Sequence, residues 1–226
     1  MNNQFIHRRT KLAENLQSGI AVIPTAKEVV RNKDAHFPYR FASYFHYLTG
    51  FGEPESVIVI IGGKTPSSIL FCRGKNKEKE IWNGFRHGPE AAKNLLHCDE
   101  AYSIDEIDQI LPQLIENKDT IYTPLGIDVS WDQQIMGWLN QTRSRVREGI
   151  AAPEGLIDVR GMLDEMRLFK DPSELDTMRQ AAKISAEAHV LAMTATKPGK
   201  YEYAIEAEFL YHFKKNGSQF PAYTSI

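Results

Sequence analysis

The stretch ESVIVIIGGKTPSSILFC, Glu55–Cys72, decides the fold class. Val57 to Ile61 are consecutive β-branched residues, and Ile69 to Cys72 form a second apolar run. Between them stand Gly62, Gly63, Pro66 and Ser67, residue types that turns use, so the stretch reads as a β-hairpin. The first run is far shorter than the ~20 residues a membrane-spanning helix requires. Working outward, helices and strands alternate. Upstream, Phe5, Leu12 and Leu16 recur at helical spacing, Gly19 closes that helix, and IAVIPT (Ile20–Thr25) reads as a buried strand. Downstream, SIDEIDQILPQLIENK (Ser103–Lys118) reads as a helix opened by Ser103, with Glu106 completing a capping box and Pro112 kinking or breaking it. TIYTPL (Thr120–Leu125) reads as a short strand and SWDQQIMGWLNQTRSRV (Ser130–Val146) as another helix. Strands interleaved with helices through about residue 150 imply an α/β domain.

The pattern then changes. REGIAAPEGLID (Arg147–Asp158) is a connector punctuated by Gly and Pro, and helices dominate after it. Asp171 as N-cap, Pro172 at the first helical position and Glu174 three residues past the cap agree on a helix start. That helix is expected to run to near Thr196, before Pro198-Gly199, and a further one from Glu202 to Lys215, ending at Asn216-Gly217. A domain boundary is expected between Arg147 and Asp171. The last residues, QFPAYTSI (Gln219–Ile226), are unlike a polar, frayed tail and read as the start of a strand, as if cut through a protein.

Charge narrows the partners. Lys and Arg number 27 against 29 Asp and Glu, a formal charge of −2, where a nucleic-acid binder would carry a strongly basic face. The opening MNNQFIHRRTKLAENL has no apolar core of a secretory signal. Cys72 and Cys98 have no motif spacing and read as free thiols in a reducing cytosol. The expectation is a cytoplasmic protein with neither nucleic acid nor membrane as partner.

No complete catalytic set is present in the residue inventory. The chain lacks HExxH, CxxC, GxGxxG, a Walker loop and GxSxG. Glu208 and His212 share a helix face, either as half of a metal site or as a solvated pair worth a few tenths of a kcal/mol. Glu187 and His189 point to different faces. Three stretches stand out. HFPYRFASYFHYLTGF (His36–Phe51) holds seven Phe and Tyr in sixteen residues, a density that usually means core packing. KEIWNGFRHGPEAA (Lys79–Ala92) places Trp82, Arg86 and His87 in a Gly-flanked loop, suited to a binding rim or a subunit contact. DEMRLFKDPSEL (Asp164–Leu175) joins a charged helix end to a capped helix start, which by itself suggests a hinge.

Together these stretches resemble the bacterial Xaa-Pro aminopeptidases (aminopeptidase P), of the metallopeptidase family that includes prolidase. The family pattern R-(x)3-YF-x-YLTGF-x-EPE is matched by RFASYFHYLTGFGEPE (Arg40–Glu55), and its EIW-x-G loop by EIWNGFRHG (Glu80–Gly88). EMRLFKDPSEL (Glu165–Leu175) resembles the signature joining the two domains, and NGSQFPAYTSI (Asn216–Ile226) resembles the segment where the first strand of the catalytic domain begins.

The resemblance implies an α/β, mixed-sheet N-terminal domain with flanking helices over 1–158. After it, 159–226 would be the helices and first strand of an incomplete α+β pita-bread metallopeptidase domain. It implies a parent enzyme that removes an N-terminal residue preceding proline by two-metal hydrolysis, with two Mn2+ or other divalent ions held by two Asp, a His and two Glu. All five ligands would lie beyond this chain, which alone would bind no metal and hydrolyse nothing. Two positions carry over as the rim of the substrate site. Trp82 matches a tryptophan that, in tetrameric members, reaches toward a neighbouring subunit's active site, and Arg147 matches an arginine at the active-site mouth. Their alternatives are an exposed loop tryptophan and a solvated arginine. The implied partners are peptides with proline second and further copies of the chain, as a dimer or tetramer. The spacing after EIW departs from the family, which leaves Arg86 and His87 without a carried-over role. Two other readings stand beside this one: a non-catalytic peptide-binding or assembly module, and a sibling with prolidase or creatinase specificity.

Overall fold

A computed structural model describes residues 3–225. The hairpin is its centre. Strands β4 (Val57–Ile61) and β5 (Ser67–Cys72) pair antiparallel, with Val57 opposite Phe71 and Ile61 opposite Ser67. Because side chains alternate along a strand, Ile58, Ile60, Leu70 and Cys72 enter one core while Val57, Val59, Ile69 and Phe71 enter another. This is why the strands read as unbroken apolar runs: both faces of the sheet are covered. Strand β1 (Ile20–Pro24) repeats the pattern, sending Ala21 and Ile23 one way and Ile20 and Val22 the other.

The complete sheet has the order β6-β5-β4-β1-β7-β8, with β6 at Glu100–Ser103, β7 at Thr120–Thr123 and β8 at Gly155–Asp158. β4 runs antiparallel to β1 and β5, whereas β6 pairs parallel with β5, and β7 parallel with β1 and β8. The sheet is mixed. A separate small ribbon pairs β2 (Val30–Asn32) with β3 (Ala35–His36). The connector expected over Arg147–Asp158 thus contains an edge strand, β8. Four half-exposed residues without an apolar run leave little trace in sequence.

One face is covered by helices α1 (Asn3–Asn15), α2 (Ser43–Thr49), α4 (Pro89–Leu96) and α7 (Arg160–Arg167), which contribute Leu12, Phe45, Leu48, Ala92, Leu96 and Leu163 to the core. The other is covered by α5 (Ile107–Leu114) and α6 (Val129–Ser144). Trp131 and Trp138 of α6 meet edge to face at 5.6 Å, and their indole N–H groups donate to Thr123 Oγ1 and Asp108 Oδ1, each at 2.8 Å. Buried indoles need such partners. The Ser103–Glu106 capping box forms, over a single 3-10 turn, and α5 continues through Pro112 to Leu114.

Arg9, 4% exposed, ties the helices of the first face together. Its guanidinium donates to Leu48 O at 3.0 Å and Leu96 O at 2.6 Å, at the C-terminal ends of α2 and α4. Helix ends leave carbonyls unsatisfied and carry partial negative charge, so a buried cation there satisfies both.

Residues up to Met166 form one compact unit and those from Arg167 a second. The domain limit expected at 158 falls at the end of β8, and Val159, Leu163 and Met166 just beyond it pack into the core of the first unit. The second unit holds α8 (Pro172–Ala195) and α9 (Glu202–Lys215). Asp171 and Glu174 form the expected capping box. The two helices meet through His189 against Phe209, edge to face at 4.9 Å. Residues 220–225 form bends and no strand. A strand needs a hydrogen-bonding neighbour, and among the described residues this segment has none; Ile226 lies outside them. No helix among the described residues is long and apolar enough to cross a membrane.

Candidate functional site

The aromatic block His36–Phe51 divides by burial. Phe45, Tyr47 and Phe51 belong to the core, Tyr44 donates to Asp164 Oδ1 at 2.7 Å, and Phe37 is exposed. Core packing accounts for three of the block's seven Phe and Tyr, with Tyr44 partly buried against them.

The stretch around Trp82 is the opposite case, and Trp82 stands on a short helix where a loop was expected, with only Arg86 and His87 in the loop. Helix α3 (Lys77–Asn83) buries none of its residues. It forms because Asn76 caps it, its Oδ1 accepting from Lys79 N at 3.0 Å, and it ends at Gly84, whose φ of 81° suits glycine. Ile81, Trp82 and Phe85 are 78%, 87% and 65% exposed. Exposed apolar knobs of this kind are surfaces that interaction sites commonly use.

Beneath the knob lies a polar cluster. Glu53 Oε1 accepts from the backbone N–H of His87 at 2.8 Å and stands 2.5 Å from His87 Nδ1. A carboxylate has no proton to give, so Nδ1 carries it. Glu53 Oε2 faces Arg73 at 3.5 Å. Arg73 and Arg86 are both buried, each with an unpartnered Nε. Glu80 Oε1 accepts from Arg86 N at 2.9 Å and Lys75 Nζ at 3.0 Å, and the Arg86 N–H first, then Lys75, holds the Glu80 carboxyl below its usual range. Sequence reasoning singled out Trp82, Arg86 and His87 but missed Glu53, Arg73 and Glu80. Glu53 lies inside the GFGEPE motif, the one signal that could have found it.

Arg147 is exposed, in a 3-10 turn (Val146–Glu148), and forms no ion pair among the described residues. Its neighbour Arg145 pairs with Glu116 and Glu148. Topology separates Arg147 from Trp82. The pairing makes β5 and β8 run in the same direction, and they stand four places apart in the sheet, about 19 Å at a strand spacing of ~4.8 Å. Trp82 follows the C-terminal end of β5, whereas Arg147 precedes the N-terminal end of β8. The two positions are thus connected in the chain to strand ends of opposite polarity, on strands in opposite halves of the sheet.

Within the second unit, His212 Nε2 lies 3.3 Å from Glu187 Oε2, and Lys183 pairs with the same carboxylate. Among the described residues no group of three or more His, Cys, Asp and Glu stands together to hold a metal ion. Cys72 and Cys98 are free and buried, and burial foremost, with Glu53 adding, pushes the Cys72 thiol up to about 12.

Comparison with known proteins agrees with this architecture. The profile of the family described as "Aminopeptidase P, N-terminal domain" matches residues 5–122, and that of "Metallopeptidase family M24" matches residues 176–226. The Xaa-Pro aminopeptidase of Escherichia coli is 39% identical over 226 residues, covering 99% of this chain and 51% of the relative. That of Haemophilus influenzae is 36% identical, covering 99% and 50%. The structure of Pseudomonas aeruginosa aminopeptidase PepP superposes with a TM-score of 0.96 at 40% identity, over 100% of this chain and 52% of that one. The chain spans about half the length of the curated relatives it matches.

Proposed function

Because the chain belongs to the family of the aminopeptidase P N-terminal domain, we propose that it forms the N-terminal portion of a metalloaminopeptidase that removes a residue preceding proline. The observation that carries this reading is the match to Xaa-Pro aminopeptidases along 99% of the chain, together with the metallopeptidase match over 176–226. Proline lacks an N–H and constrains the residue before it, so a dedicated pocket has chemistry to recognise. The whole protein would use a pair of divalent ions, manganese in our reading, to polarise the scissile carbonyl and activate water. No residue of this chain is assigned to hold them.

The part given to this chain is assembly and the rim of the substrate site. Trp82 would wall a neighbouring subunit's site and Arg147 would line the mouth of a site. Their connection to strand ends of opposite polarity, in opposite halves of the sheet, supports the assignment to sites in different copies, hence a homo-oligomer. Two buried free cysteines fit a reducing, cytoplasmic compartment.

The test is to assay the whole protein carrying this chain, loaded with Mn2+, on Xaa-Pro-Xaa tripeptides, Xaa-Pro dipeptides and creatine. Turnover of the tripeptides is expected. Preference for dipeptides or creatine would move it to a sibling specificity, and no turnover would leave a binding module. Trp82→Ala should raise KM about tenfold with kcat little changed, because a wall contributes binding rather than chemistry. A monomer in light scattering would remove the cross-subunit role.

A further inference from the structure

We propose that Glu53 is a positioning residue for Trp82, acting through the loop 84–88. The inference deepens the reading of Trp82 as a substrate wall and rests on it. It starts from a mechanical problem. A seven-residue helix with no buried side chain cannot hold its own conformation, since isolated helices shorter than about 12 residues are marginal in water. Something else must aim Trp82. On its C-terminal side the chain enters α4 at Gly88, and α4 is fastened to the core by Ala92 and Leu96, 0% and 3% exposed. Between the rigid helix and the knob, among the described residues, carboxylate side chains hold the loop at two residues. Arg86 N–H is taken by Glu80, which belongs to α3 itself and so moves with it. His87 is taken by Glu53 through both its backbone N–H and its ring Nδ1–H.

Glu53 is suited to act as an anchor. It directly follows the turn that ends α2, where Gly50 adopts φ 66° and Phe51 is buried. Its other oxygen makes no hydrogen bond but pairs at 3.5 Å with Arg73, 5% exposed, which directly follows β5. The carboxylate therefore joins the sheet, the end of α2 and the loop. The His87 ring is further bracketed by Phe51 at 5.5 Å and Phe85 at 5.0 Å, and Lys75 sits 3.9 Å over the Phe85 ring. Of the contacts to the loop among the described residues, the Glu53 pair alone combines charge, two donors and a fixed base.

The chain has three tryptophans, Trp82 exposed and Trp131 and Trp138 buried, so 5-fluorotryptophan labelling of the whole protein, with these lines assigned by single Trp→Phe substitutions, supplies both reporter and control. In Glu53→Ala the Trp82 fluorine line should narrow while the lines of Trp131 and Trp138 stay put. Tryptic cleavage after Lys77 and Lys79 should accelerate roughly tenfold, as expected of local rather than global opening. Glu53→Gln keeps an acceptor at the same reach but removes the charge facing Arg73, and should give a Trp82 line between those of the wild type and Glu53→Ala. If Glu53→Ala fails to fold, Glu53→Asp keeps the charge beside Arg73 but withdraws the oxygen by one methylene, and should show the same changes in smaller degree. An unchanged Trp82 line in a folded variant, or three lines shifting together, overturns the proposal. In the whole protein, Glu53→Asp should raise KM in the same direction as Trp82→Ala, with no added effect when the two are combined. Should Trp82→Ala leave KM unchanged, the substrate-wall reading fails, while the fluorine and proteolysis results still decide whether Glu53 positions Trp82.

Discussion

The unit up to Met166 and the helix pair from Arg167 are held by different means. In the first, a sheet of short strands is packed on both faces, and Phe45, Phe71, Leu48, Ile58, Ile60 and Leu70 are all but inaccessible to water. In the second, the described core residues are Ile184, Ala188 and Ala192, while Met178, Val190, Met193 and Tyr211 of the same two helices stay exposed. Helix α8 carries strong local signals, an N-cap at Asp171, Pro172 at the first position and a capping box, and each helix is followed by a Gly-containing break. A unit made by burial depends on residues distant in sequence.

The largest break in that comparison would come from the core. Phe71→Ala is expected to cost about 3–5 kcal/mol in denaturant unfolding, since it removes a fully buried ring. Met178→Ala, on a side chain 54% exposed, should change stability by no more than ~0.5 kcal/mol. Comparable losses would mean that the helix pair is not the thinly packed element described. Next is Arg9→Met, expected to cost about 2–3 kcal/mol by removing charge-assisted hydrogen bonds to helix-end carbonyls. Hydrogen exchange should quicken in the last turns of α2 and α4 and stay unchanged in α8.

The smallest effect concerns pH. The folded-state pKa of Glu80 lies below its unfolded value, chiefly through the Arg86 N–H. Its contribution to fastening the loop 84–88 to α3 is therefore complete above the ordinary glutamate range and is lost as pH falls through the depressed value. The Arg86 amide should stay protected in mild acid and exchange faster only below the usual glutamate titration. Loss of protection already near pH 5, above the reference glutamate pKa of about 4.3, would contradict the tether.

Much of the fold was legible because apolar periodicity and caps are local. The hairpin, β1, β7, α6 and both helices of the second unit follow from them. The edge strands β6 and β8 did not, because short, half-exposed segments in a parallel pairing owe their structure to a neighbour rather than to their own composition. The bends at 220–225 are the same lesson reversed: strand-like residues without a neighbour form no strand. The site divides the same way. Trp82 is conspicuous as a tryptophan between glycine and charge, but Arg9, Glu53 and Arg73 sit in segments of ordinary polarity, where an ionised side chain reads as solvated. Burial with a partner is a property of the assembled unit.

By itself, then, the chain determined which segments could be strands or helices, where the helices begin and stop, and the family motifs that point to peptide chemistry. These rest on interactions between residues a few positions apart. Only the tertiary structure decided the strand order, the two-sided core, the burial of Arg9, and the bond from Glu53 to His87 across 34 residues. The physical reason is distance along the chain. A contact closed over so many residues costs loop entropy, and it persists only where packing elsewhere has already brought its ends together.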